Sequence, residues 1–222
     1  MEKNTHRKYH NSNGEEVPSV TTVLKIFHKE LSGWANSLGF RGINVKKYLE
    51  ERALYGTNVH KVCECFFNDE PVDSNVIQFI GEATYERILE KLAYLKEILS
   101  EKGYTIYRTE LALEGERFGG TIDLLFFNEE KNDYLLLDLK TSKSTYNTML
   151  MQLSAYTMLL EECENIKVTK FGIILIEKET SDPNFSNIWK VESNLRYQSI
   201  FIQLLNIYYN LTDNERQMMG IL

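Results

Sequence analysis

Proline occurs three times in 222 residues, and none of the three divides the chain. Linkers rich in Pro and Gly, low-complexity tracts and internal repeats are absent as well. This excludes a modular array and leaves one domain, residues 1–222, long enough to bury a substantial core. Apolar runs are short: none approaches the roughly 20 residues that a membrane-crossing helix needs. No apolar segment follows the polar start Met1-Glu2-Lys3-Asn4-Thr5-His6-Arg7-Lys8, so neither a secretory signal nor membrane association is expected, and the chain reads as cytoplasmic.

Cysteine is scarce too. Cys63, Cys65 and Cys163 are an odd set with no CxxC spacing, which argues against a disulfide framework and a zinc ribbon. Ordinary semi-buried thiols are expected. Positive charge is in deficit, with a net charge of −7. Nucleic-acid binders are usually basic. That class stays open all the same, because catalytic carboxylates add negative charge that a metal cancels, and a local basic strip is enough for binding. A content of 43% hydrophobic and 26% charged residues is that of an ordinary globular protein.

The pattern along the chain predicts an extended start at Val17-Pro18-Ser19-Val20, then a helix through Leu24, Phe27, Leu31 and Trp34. A second helix is expected after Gly56, carrying Val59, His60, Cys63, Glu64 and Phe67. Apolar residues at three- and four-residue steps predict one helix from Asn75 to Lys102, stopped by Gly103. Three strands follow, Tyr104–Glu114, Arg117–Phe127 and Tyr134–Lys140, with a turn at Gly115-Glu116. A helix over Thr145–Cys163, a strand over Phe171–Ile176 that is apolar on both faces, a weaker strand over Ile188–Val191 and a helix over Leu195–Leu211 complete the chain. The expected fold class is α/β: a mixed central sheet flanked by helices in the order α-β-β-β-α-β. An N-terminal part (1–74) carries His60, a core spans 75–177 and a C-terminal part spans 178–222.

Asp123 lies in Gly119-Gly120-Thr121-Ile122-Asp123, and Asp138 and Lys140 lie in Leu137-Asp138-Leu139-Lys140. Side chains alternate along a strand, so Asp138 and Lys140 share a face. If the two strands form a hairpin, Asp123 comes beside Asp138. Two carboxylates and an ammonium around one point make a magnesium site with a cation beside it, the equipment for hydrolysing a phosphodiester. Asp138 and Lys140 alone would also suit a structural ion pair, but that leaves the second acid unexplained. It also leaves Gly119-Gly120 unexplained, a pair that marks the close approach of another backbone, such as that of DNA. His60 and Glu64 share a helix face. His60 is either a structural histidine or an extra ligand, and Glu110 either a solvated strand residue or a holder of a second metal. Gln152 and Tyr156 lie one turn apart, either as a plain helix face or with Gln152 orienting a water or phosphate and Tyr156 packing on nucleic acid. Lys143 is a candidate phosphate contact. Arg41, Lys46, Lys47 and Arg52 form a loose basic cluster that reads as a solvated face or as further phosphate contacts.

These residues resemble the PD-(D/E)XK nuclease superfamily, in its RecB-like exonuclease branch. The resemblance is carried by Gly56-Thr57-Asn58-Val59-His60, Gly120-Thr121-Ile122-Asp123, Asp138-Leu139-Lys140-Thr141 and Gln152-Leu153-Ser154-Ala155-Tyr156. The start Val17–Leu24 is similar to the opening of phage and mitochondrial members. The resemblance implies a restriction-endonuclease-like core and a DNA exonuclease that leaves 5′-phosphates, in phage or bacterial recombination, repair or DNA processing. It further implies one or two Mg²⁺ or Mn²⁺ ions held by His60, Asp123, Asp138 and the Leu139 carbonyl. Lys140, its proton affinity lowered beside the metal, is then a plausible base. The three cysteines do not match the four of an iron–sulfur cluster, so none is expected. No nucleotide cofactor is expected either: GxxxxGK[ST] is absent, and any unwinding comes from a helicase or recombination partner. A structure-specific or restriction-type endonuclease, an inactive nucleic-acid-binding subunit and a small structural α/β protein that binds neither Mg²⁺ nor Mn²⁺ are the alternatives.

Overall fold

The computed structural model describes residues 7–27, 32–176 and 188–221. A small hairpin opens it: β1 (Tyr9–His10) pairs antiparallel with β2 (Glu16–Val17). The Asn11 side chain closes the turn by accepting the N–H groups of Asn13 and Glu15. This hairpin is too short to leave a periodic signal. Pro18 and Ser19 continue as extended backbone: the Pro18 carbonyl accepts the Gly119 N–H at 3.0 Å, and Ser19 bridges to Gly119.

The single helix expected after Val20 is two. Helix α1 (Val20–Leu24) is capped by the Ser19 hydroxyl on the Thr22 N–H and ends after one turn. Helix α2 spans Ser32–Phe40, and Leu31 lies outside the described residues. Gly56 does not begin the second expected helix. Helix α3 runs from Val45 to Phe67 with Asn44 capping the Lys47 N–H, and Gly56 sits in its middle. The expected helix over 75–102 is divided into α4 (Ser74–Ile80) and α5 (Glu82–Glu101). Gly81, at φ +86°, takes a conformation that helices exclude, so the chain turns there while the apolar spacing runs on undisturbed.

A mixed sheet follows, in the order β3-β4-β5-β6-β7. Strands β3 (Thr105–Glu114), β4 (Gly119–Asn128) and β5 (Asp133–Lys140) form the expected antiparallel meander. Helix α6 (Asn147–Glu164) crosses over, and β6 (Val168–Leu175) returns parallel to β5. Strand β7 (Ile188–Lys190) pairs antiparallel with β6. Helices α7 (Leu195–Asn210) and α8 (Asp213–Met218) close the chain. The α/β expectation holds.

Each face of the sheet carries a core. On one, Leu124, Phe126, Leu135, Leu137 and Ile174 pack beneath Val59, Val62, Leu92 and Leu95 of α3 and α5. On the other, Ile122, Leu125, Leu136, Phe171 and Ile173 pack against Leu153, Leu159, Phe201 and Leu205 of α6 and α7, with Val20 and Val23 of α1. Strand β6 is apolar on both faces because both are covered. No helix among the described residues is long and apolar enough to cross a membrane.

Candidate active site

The site is a fork between two strands. The β4–β5 ladder pairs Leu124 with Leu137 as its last rung. Beyond it β4 stays with β3 as far as Gly119, and β5 stays with β6 as far as Lys140. Asp123 and Asp138 are the next residues outward on the two tines. Where the ladder opens, the Leu139 N–H has lost a strand partner, and Asp123 Oδ2 accepts it at 2.6 Å. An extended residue sends its N–H and C=O to the same edge, so the Leu139 carbonyl opens toward the same gap.

Helix α3 crosses the mouth of this fork. Arg52, Gly56 and His60 follow at four-residue steps and so share a helix face. Arg52 Nη2 donates to the Thr141 carbonyl at 3.0 Å, anchoring the loop just past Lys140. A Cβ on Gly56 would stand 3.6 Å from Thr141 Oγ1, so the helix passes close by. One turn on, His60 Nδ1 lies 3.3 Å from Asp123 Oδ1 and 3.8 Å from Glu110 Oε1. Glu110 reaches this point from β3 through a local distortion: at φ +45° it stands in the left-handed region, between the pairs Thr109–Leu124 and Leu111–Ile122. A non-glycine residue held there is strained, and such strain collects at functional sites. One donor atom from each of His60, Glu110 and Asp123 lies within 4.8 Å of the others, close enough to share one ion.

On the α6 face of β5, Lys140 Nζ approaches Asp138 Oδ2 at 2.5 Å. Asp138 is 1% exposed, and neither of its oxygens has a well-aligned hydrogen-bond donor among the described residues. A buried carboxylate left so poorly satisfied is expensive unless something else binds it.

The charges act on one another. Burial opposes a charged imidazole, but the Asp123 carboxylate and then Glu110 outweigh it and lift His60 to about 10. Burial raises Asp123, yet His60, Lys140 and the Leu139 N–H together hold it below the usual carboxylate range. Burial also lifts Asp138 to about 6, helped by the Asp123 charge and opposed by Lys140. Lys140 is governed by its acidic neighbours in the metal-free site. Burial would lower it, but Asp138 and Asp123 hold it above the ordinary lysine value. In the metal-free site two flanking carboxylates keep its proton on.

Other expected site residues fall elsewhere. Glu64 turns to Lys61 at 2.8 Å and stays outside the cluster, because three residues along a helix bring Lys61 closer than the strands. Tyr156 is buried, accepts Gln152 Nε2 at 2.8 Å and is walled off from any ligand, which corrects its expected packing on nucleic acid. The paired glycines are filled by the protein itself and not by a foreign backbone: a Cβ on Gly120 would stand 2.6 Å from Tyr156 Cε1, and one on Gly119 would overlap the Tyr9 ring. Lys46 and Lys47 face Glu50 and Glu51 along α3, a solvated face, and Arg52 is used by the loop, so no basic cluster forms. Arg41 is exposed after α2, and Lys143 is exposed in the β5–α6 loop. Cys63 and Cys65 are buried and Cys163 is exposed. Burial pushes the Cys63 thiol well up, and the Asp123 and Glu110 charges add to this, so it is no thiolate.

No protein-family model matches the chain, and no curated protein matches it. Among solved structures, the crystal structure of SSO0001 aligns with 67% of this chain and 75% of its own, at 16% identity and a TM-score of 0.28. At that distance the reading of the site rests on this chain's own residues.

Proposed function

We propose that this chain is a divalent-metal-dependent deoxyribonuclease of the PD-(D/E)XK type, built on a restriction-endonuclease-like core and acting as an exonuclease. One observation carries the reading: two acids at the split of a hairpin, with a histidine and a glutamate converging on one and a lysine on the other. A purely structural ion pair needs two of these five groups, not all of them at one fork.

The donor set fits a hard divalent ion. His60, Glu110 and Asp123 offer one nitrogen and two carboxylates, and Asp138 offers a buried carboxylate whose one close partner among the described residues is the Lys140 ammonium. The pocket already stabilises a cation, since it holds a proton on His60. Mg²⁺ or Mn²⁺ bound there supplies Lewis-acid polarisation of the phosphodiester and offsets the charge that develops on it. His60, Glu110, Asp123, Asp138 and the Leu139 carbonyl are the residues to hold it. Lys140, kept charged by its carboxylate neighbours, donates to the attacking water or to a phosphate oxygen. Arg52 holds the loop that fixes Lys140. Gln152 is tethered to Tyr156 and presents its amide from α6. The product carries a 5′-phosphate, and any duplex opening falls to a partner.

The test is cleavage with Mg²⁺ or Mn²⁺ on end-labelled linear single- and double-stranded DNA and on closed circles, with Asp138→Ala and Lys140→Ala alongside. Metal-dependent shortening of linear DNA alone, lost in both variants, is the expected result. Cutting of circles would replace the exonuclease reading with an endonuclease. No cleavage together with no metal binding would end the nuclease reading.

A further inference from the structure

The catalytic fork leaves unused a cavity of about 620 Å³ between the N-terminal hairpin and the C-terminal helices. Its size is in the range of ligand-binding sites. Four cations line it, Arg7, Lys8, Lys25 and Arg216, against two acids, Glu16 and Asp213. Lys8 pairs with Glu16 at 2.6 Å and Arg216 pairs with Asp213. Arg7 and Lys25 are exposed, and neither has an ion-pair partner among the described residues. In a chain of net charge −7 this is a local reversal of sign, and it attracts a polyanion.

One wall of the cavity packs on the strand that carries Asp123. Tyr9, in its wall, shares a hydrogen bond with Thr121 Oγ1 at 2.9 Å and packs its ring on Gly119. Thr121 stands two residues before Asp123 on β4, about 7 Å of strand. The wall also carries Tyr209, half exposed, with the Arg117 guanidinium 5.6 Å from its ring centre. A half-exposed aromatic ring lining the same cavity as exposed cations is the equipment for single-stranded nucleic acid, in which bases stack and phosphates pair.

We infer that this cavity holds a single-stranded polynucleotide tail adjoining the bond to be cut, with Arg7 and Lys25 on its phosphates and Tyr209 under a base; this rests on the nuclease reading above.

The experiment is fluorescence anisotropy of a labelled oligothymidylate of about 15 nucleotides, with Ca²⁺ in place of Mg²⁺. It compares the parent, the double reversal Arg7→Glu with Lys25→Glu, and a control double reversal, Lys131→Glu with Lys167→Glu. The control changes net charge equally, on exposed residues at the other end of the sheet. The cavity variant is expected to bind about tenfold or more weakly, with a salt dependence shallower by about two ions. Tyr209→Ser is expected to weaken binding several-fold at unchanged salt dependence. Equal weakening by the control, or unchanged binding in the cavity variant, overturns the inference, as does equally tight, equally sensitive binding of blunt duplex. If the parent cleaves DNA and Asp138→Ala does not, while the cavity variant binds like the parent, only this inference falls. If the parent neither cleaves nor binds DNA, the nuclease reading falls with it.

Discussion

Asp123 accepts the Leu139 N–H with one oxygen, at 2.6 Å, and faces His60 Nδ1 with the other, at 3.3 Å. One side chain therefore does two things: it closes a gap in the sheet and fixes the imidazole of α3. Asp123→Asn keeps an oxygen for Leu139 but removes the charge. The fold should survive with a loss of about 1–2 kcal/mol. His60 should titrate well below its present value of about 10, because the Asp123 charge is what chiefly raises it. An NMR titration of the His60 ring protons reads this directly. An unchanged midpoint would show that Asp123 does not set the charge of His60.

Metal affinity should rise with pH. His60 is protonated in the metal-free site up to about 10, so an ion that takes His60 must displace a proton. Between about 6 and about 10 affinity should climb about tenfold per pH unit, and more steeply below about 6, where Asp138 also takes a proton. Calorimetry with Mn²⁺ at several pH values, in buffers of different ionisation enthalpy, should count about one proton released, and His60→Gln should remove that proton. The same shift affects folding. His60 is raised from 6.5, so its imidazolium stabilises the metal-free fold fully below 6.5 and progressively less as pH rises toward about 10.

Gly120→Ala places a methyl 2.6 Å from the Tyr156 ring, which is buried and cannot withdraw. A loss of about 1–3 kcal/mol is expected in urea unfolding. Gly39→Ala in α2 meets nothing within 4 Å and should stabilise by about 0.5–1 kcal/mol. A neutral Gly120→Ala would mean that Tyr156 is not seated on this glycine.

At the opposite end of the sheet Asp133 gathers Tyr104, Thr169 and Lys170, the last at 2.9 Å. Burial would raise this carboxyl, but the hydrogen bonds from Thr169, Tyr104 and Lys170 prevail and lower it. A lowered acid stabilises the fold above its unfolded value and loses that contribution as pH falls through its folded value. Asp133→Asn should therefore lose about 1–3 kcal/mol at neutral pH. Parent and variant should converge in acid, and a pH series of thermal unfolding decides it. Cleavage should be spared, since this network shares no residue with the fork.

Strand order and the acids were readable from the chain alone because both depend on local pattern. Apolar runs of strand length define β4 to β6, turn residues bound β3, and alternation places Asp138 and Lys140 on one face. Helix boundaries were less readable. Gly81 breaks α4 from α5 and Gly56 sits inside α3, and spacing alone does not distinguish a glycine that ends a helix from one that lets the helix pass close to a loop. The partners of His60 were divided in the same way. His60 and Glu64 look equivalent on one helix face, yet only tertiary packing decides that Glu110, bent to φ +45°, joins His60 while Glu64 turns to Lys61. The role of Gly119 and Gly120 was likewise decided by contacts from Tyr9 and Tyr156, residues 110 and 36 positions away in sequence. Local chemistry determined which residues could act. The meeting of distant segments determined which of them share a charge field, and so which keep their protons.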